Sequence, residues 1–278
     1  MPTLSQFLFG AIVLGALLAV LAIAGWPWLQ SLRRGRLQRH PFPAAWRRIL
    51  KRHVPLVRQL PVDLQLQLKQ RMQVFIAEKP FIGCQGLIVT EAMRVVIAAQ
   101  ACLLLLNRPA EHFGNLRQVL LYPGAFVVDK VHHAAGGVLR DERQVLAGES
   151  WSQGQVVLSW DDVLEGAAVA DDGRNVVVHE FAHQLDQADG AANGAPALAR
   201  SADRKRWARV MGNEFAHLER QLAQGEDNLL GAYAATNPAE FFAVASEVFF
   251  ERGPLLAATR PALFAELAAF YGVDPTSW

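Results

Sequence analysis

The sequence predicts an α+β domain, with a small mixed sheet and a mainly helical remainder, preceded by one N-terminal transmembrane helix. Three observations predict it. Residues 7–28, FLFGAIVLGALLAVLAIAGWPW, contain no charged side chain. Between residues 117 and 160, the short β-branched and aromatic runs QVLLYP, AFVVD and QVVLSW are bounded by Gly, Pro or Asp, as strands are. On either side of them apolar residues recur at helical spacing, so the domain reads helices, sheet, helices. A chain of 278 residues, 52% hydrophobic, suffices for an anchor and one domain with a sizeable core. Lys and Arg number 27 against 26 Asp and Glu. That balance lacks the basic excess of a nucleic-acid-binding domain, and no direct nucleic acid binding is expected.

Taken in order, Phe7 to Trp28 is long enough, at about 1.5 Å per residue, to cross a hydrocarbon core of about 30 Å. Trp26 and Trp28 suit the interface at its C-terminal end, and Arg33, Arg34, Arg36 and Arg39 follow. The positive-inside rule then places the rest of the chain in the cytoplasm, as a single-pass protein of the cytoplasmic (inner) membrane. A cleaved signal peptide is the rival, because Ala22-Ile23-Ala24 has a small-x-small pattern; a buried core helix is the third reading. Against the signal peptide, no Lys or Arg precedes the apolar run. The expected organisation is an anchor over 1–30, a basic juxtamembrane linker over 31–53 suited to anionic lipid, and one domain over 54–278. Cys84 and Cys102 are too few for a disulfide framework and read as buried free thiols of a reducing compartment.

Within the domain, Pro61 can open a helix carrying Leu64, Leu68, Met72 and Phe75. Thr90 can cap a second, EAMRVVIAAQACLLLL, apolar around its circumference and so central to the core. The strand runs follow, with His132 and His133 expected in a Gly-containing loop between them.

The stretch VVVHEFAHQLD (176–186) carries His179 and His183 four residues apart. On a helix such side chains share a face, with Cβ atoms about 5–6 Å apart, so two imidazoles can converge on one ion. Glu180, one step round, is placed to take a proton from water rather than to ligate. Val178, Phe181, Ala182 and Leu185 face the core. A catalytic zinc needs a third protein ligand, and AYAATNPAEFFAVASEVFFE (232–251) offers Glu240, Glu247 and Glu251 on a helix that Asn237 and Pro238 can start. Glu240 and Glu247 are about 10.5 Å of rise apart, so one at most ligates; Glu247 and Glu251 can equally point to solvent.

HEFAHQLD, AYAATNPAEFFAVASEVFF and GESWSQGQVVLSWDDV, with IAAQACLLLL and YPGAFVVD, closely resemble the Mlc titration factor A family of zinc-dependent peptidases, from about residue 45 to the end. That resemblance implies a zincin-like domain, similar in fold to the catalytic domain of anthrax lethal factor, and aminopeptidase-like activity on peptide or protein substrates. It implies one Zn2+ per chain held by His179, His183 and Glu240, with Glu180 as general base and Tyr233 donating to the oxyanion. Asp186 and Glu247 are candidates to orient an imidazole. QVVLSW is expected to be the edge strand that pairs with an extended peptide. The family name comes from binding a transcriptional repressor. The competing reading is therefore a membrane-tethered protein that sequesters a cytoplasmic transcriptional regulator; an intact Glu180 favours the enzyme.

Overall fold

A computed structural model describes residues 4–108, 112–133, 139–146, 148–151, 154–190, 192–198 and 200–278. They fall into two units, Met1–Pro41 and Phe42–Trp278. The first is helix α1 (Leu4–Arg39), which contains Pro27 and ends on Arg36 and Arg39. Among the described residues it is the one helix long and apolar enough to cross a membrane. Leu17, Val20, Leu21 and Ile23 are exposed on it.

The second unit opens with α2 (Ala44–His53). Leu50 enters the hydrophobic core, and Trp46 Nε1 donates to Glu91 Oε1 at 2.7 Å. The basic stretch assigned to a linker thus divides: Arg33 to Arg39 continue α1, and residues 44–53 form a packed helix of the compact unit. Helix α3 (Val62–Glu78) follows Pro61 and buries Leu64, Leu68, Met72 and Phe75, the stripe expected of its spacing. After β1 (Phe81–Gly83) comes α4 (Glu91–Leu103), where Thr90 Oγ1 accepts from Met93 N at 3.3 Å. Val95 to Ala99 have no exposure, so α4 is the central core helix that its composition predicts.

Five strands follow: β2 (Gln118–Tyr122), β3 (Phe126–His133), β4 (Leu139–Leu146), β5 (Gly148–Trp151) and β6 (Gln155–Ser159). One sheet has the order β1-β2-β6-β5, with β1, β2 and β6 parallel and β5 antiparallel to β6. β3 and β4 form a separate antiparallel pair, in register from Phe126↔Leu146 to His133↔Leu139. Two expectations are corrected here. QVVLSW is interior, between β2 and β5, and the edge beside it is β5. His132 and His133 lie in strand β3 rather than in a loop; the Gly-containing loop after them falls outside the described residues. Periodicity identifies a strand but carries no information on its neighbours, which misplaced QVVLSW; the run AFVVD stops short of the strand's end, which left His132 and His133 outside it.

Helices return as α5 (Trp160–Ala168), α6 (Val176–Asp186), α7 (Ser201–Gln224), α8 (Pro238–Glu251), α9 (Gly253–Thr259) and α10 (Pro261–Tyr271). Cys102 is buried but Cys84 only partly so, correcting the expectation of two buried thiols. Phe242 of α8 has no exposure and meets Trp207 at 5.6 Å and Phe270 at 5.7 Å between ring centroids. Phe242→Ala removes that ring from a close-packed site and should destabilise the fold by about 3–5 kcal/mol. Chemical denaturation of the full chain in non-ionic detergent measures this.

Candidate metal centre

Helix α6 is started by Asn175, whose Oδ1 accepts from Val178 N at 3.0 Å. Val177, Val178, Phe181 and Ala182, all without exposure, fix one side of the helix in the core. The opposite side carries His179, Glu180 and His183, which are buried as well, at 9%, 4% and 8% exposed. What covers them is α8. Asn237 Oδ1 caps that helix, accepting from Ala239 N at 2.9 Å and Glu240 N at 3.0 Å, with Pro238 at its first position. Glu240 therefore sits in a first turn, where the helix dipole favours a carboxylate.

Glu240 Oε2 lies 3.0 Å from His179 Nε2 and 3.4 Å from His183 Nε2. One donor atom from each of the three residues lies within 4.8 Å of the others. Donors about 2.0–2.1 Å from a tetrahedral zinc are about 3.3 Å apart, so these residues fit such an ion without rearranging the two helices. Charge fits as well. Burial opposes a charge on His179, but Glu240 and Glu247 at its two ring nitrogens prevail and raise its pKa. Burial also opposes a charge on Glu240, yet His179 and His183 hold its carboxyl well below the usual range. Burial pushes Glu180 up to about 7. Three carboxylates, Glu180, Glu240 and Glu247, crowd two imidazoles, an excess of negative charge that a divalent cation balances. Glu180 Oε2 is buried with no hydrogen-bond partner, beside the three donors.

Behind the donors, Glu247 Oε1 is 2.8 Å from His179 Nδ1, and its other oxygen accepts from Asn175 N. Glu240 and Glu247 thus meet opposite nitrogens of one imidazole, which their separation along α8 requires. Asn175 Nδ2 also donates to Glu251 Oε1 at 3.0 Å, and Gly173 N and Arg174 N donate to Glu251 Oε2, both at 3.1 Å. Burial, opposed by the Asn175 bond and assisted by Asp172, pushes Glu251 up to about 8. Neither Glu247 nor Glu251 points to solvent; they are 7% and 9% exposed.

Asp186 is completely buried, but its hydrogen bond runs to Gly194 N at 2.8 Å and not to an imidazole. Asp186 Oδ1 and His183 Nδ1 are both buried and unpartnered. Tyr233 stands on a short 3-10 helix, Ala232–Ala235, whose Ala234 is buried while Tyr233 is 55% exposed. Its ring is 5.9 Å from that of His179, and burial together with the adjacent Glu240 raises its pKa.

Residue reasoning missed Asn175 and Gly148, and it offered Glu251 without the backbone and Asn175 donors that hold it. A Cβ on Gly148, in edge strand β5, would stand 2.6 Å from Glu180 Oε1, so only glycine lets the strand approach this closely. The signals were Asn directly before an apolar helical run and Gly at the start of a strand.

A model of the glucose-regulated metallo-peptidase M90 family matches residues 28–272. The chain is 40% identical over 267 residues to slr2042 of Synechocystis sp., covering 95% of this chain and 97% of that one. It is 34% identical over 259 residues to Mlc titration factor A of Klebsiella pneumoniae, with 90% and 92% covered. To Mlc titration factor A of Yersinia pestis it is 33% identical over 235 residues, with 84% and 85% covered. The matched span takes in α6, the Tyr233 turn and α8 whole; this chain belongs to the Mlc titration factor A family, the glucose-regulated metallo-peptidases M90.

Proposed function

We propose that this chain is a zinc-dependent, aminopeptidase-like peptidase, tethered through residues 7–28 to the cytoplasmic membrane with its compact unit in the cytoplasm. The observation that carries the chemistry is the convergence of His179 Nε2, His183 Nε2 and Glu240 Oε2 beside the unpartnered, buried Glu180 carboxylate oxygen. His179, His183 and Glu240 would hold one zinc per chain. Zinc bound there would supply Lewis-acid polarisation and a water acidic enough to attack at neutral pH. Glu180 accepts the proton of the attacking water and delivers it to the leaving amine. Tyr233 donates its hydroxyl to the developing oxyanion, and a raised pKa keeps that hydroxyl protonated. Tyr233→Phe should lower kcat on a peptide substrate by about 10²-fold with little change in metal content.

Glu247 orients His179: a proton on Nδ1 shared with Glu247 leaves Nε2 free to ligate. Glu247→Gln should weaken zinc affinity by about 10- to 100-fold, read by competition with a chelator of known affinity. Asp186 Oδ1 and His183 Nδ1 are the acceptor and donor that an equivalent pairing needs. An extended substrate adds to β5, the edge strand of its sheet among the described residues, whose Gly148 borders Glu180.

The full chain in non-ionic detergent tests the reading. About one zinc per chain and stepwise release of N-terminal residues from a labelled peptide set are expected. No metal after zinc is supplied would overturn it, and internal fragments alone would replace the exopeptidase by an endopeptidase. Trypsin added to spheroplasts should leave residues 42–278 intact; their digestion would reverse the orientation.

The names of the relatives favour a second reading, sequestration of a cytoplasmic transcriptional regulator by a tethered protein. Under it Glu180→Gln keeps the biological effect; under the peptidase reading the effect is lost.

A further inference from the structure

Away from the metal centre, α2, the 3-10 turn Pro55–Arg58 and α3 enclose a cleft of about 340 Å³. Arg47 and Lys51 of α2, Arg58, and Lys69 of α3 line it. Arg47 and Lys51 share a face of α2 because they are four residues apart. Leu50 and Val57, buried in the core, form an apolar floor. Arg58 is fixed across the end of α2 by donating to the Lys51 carbonyl. No carboxylate lines the cleft, and among the described residues none of its four cations forms an ion pair. Four like charges gathered without a counter-charge create a potential that an anion relieves.

The exposed face of α3 adds an independent feature. Val62 and Leu66 of α3 are 84% and 57% exposed. They lie four residues apart, with Lys69 three residues beyond Leu66, so all three occupy one face. Exposed apolar side chains beside cations are how interfacial helices meet a lipid surface.

We propose that this cleft binds the phosphate of an anionic phospholipid headgroup, with Val62 and Leu66 entering the interface, so that the compact unit docks on the membrane directly. Free phosphate shares the charge chemistry. The apolar floor and the exposed Val62 and Leu66 favour the lipid, because an inorganic anion gains nothing from them. The site extends the membrane reading given above but is chemically separate from the span over residues 7–28.

The full chain in non-ionic detergent micelles tests this, with micelles doped with phosphatidylglycerol, doped with phosphatidylcholine, or undoped with inorganic phosphate added. Hydrogen exchange is followed over residues 44–69. Slower exchange with phosphatidylglycerol alone is expected. Combined Arg47→Gln and Lys51→Gln, both outside the metal centre, should weaken the apparent phosphatidylglycerol affinity about 25-fold, at about fivefold per cation, with zinc content unchanged. Equal exchange in the two doped micelles, or the same slowing by inorganic phosphate, overturns the proposal. Micelles deliver lipid whether or not residues 7–28 span a bilayer. Failure of the anchor shows separately, as release of the chain from membranes by alkaline wash.

Discussion

Glu180→Gln should reduce peptide turnover by about 10²- to 10⁴-fold while leaving about one zinc per chain, the loss expected when a general base is removed and the ligands are kept. Glutamine has nearly the same shape, so Gly148 still packs against it and strand β5 keeps its place. It cannot accept the proton of a water held beside His179 and His183. Burial pushes the Glu180 carboxyl up to about 7, above the usual carboxylate range. The assay pairs initial rates on a labelled peptide with metal content by mass spectrometry. Turnover within threefold of the unaltered chain would remove Glu180 from the mechanism. Loss of metal together with activity would reassign it to holding the ion.

His183→Ala should abolish metal binding, from about one zinc per chain to below about 0.1 after dialysis, because a two-donor site of one histidine and one carboxylate holds zinc weakly. Stability provides a second readout. Zinc at about 1,000 times its dissociation constant stabilises the folded chain by about 4 kcal/mol. For a unit of this size that raises Tm by roughly 8–16 °C. The variant should show no zinc-dependent rise. Its zinc-free Tm should fall below that of the zinc-free parent, since the variant loses the contact of His183 Nε2 with Glu240 and leaves a cavity at a buried site, so the zinc-dependent rise is read against the variant's own zinc-free Tm. A retained zinc and an undiminished thermal shift would mean that the ion sits elsewhere.

Much of this was legible in the sequence, and the reason is local. Spacing four residues apart places His179 and His183 on one helical face wherever that helix packs. Thr90, Asn237 and Pro238 mark helix starts because capping involves only the next few residues. The apolar stripe of α3 and the mostly apolar α4 foretold their burial. The uncharged run over residues 7–28 likewise foretold a long apolar helix.

Only the tertiary structure decided which groups meet across the chain. Periodicity made β6 a strand, but hydrogen bonding to β2 and β5 made it interior. Helix spacing allowed one of Glu240 and Glu247 as a ligand; packing of α8 on α6 put Glu240 against both Nε2 atoms and Glu247 against His179 Nδ1. Asn175 stands directly before an apolar helical run, a cap signal that residue reasoning missed, and nothing local marks it as the donor that ties Glu247 and Glu251 to the start of α6. The sequence by itself determined the donor types, their spacing and the helices that carry them, because these depend on contacts within one turn. Which carboxylate meets both Nε2 atoms, which meets His179 Nδ1 and which strand lies beside β6 were decided by tertiary structure, because helix–helix register and strand order are set by core residues such as Phe181 and Phe242 packing across long separations.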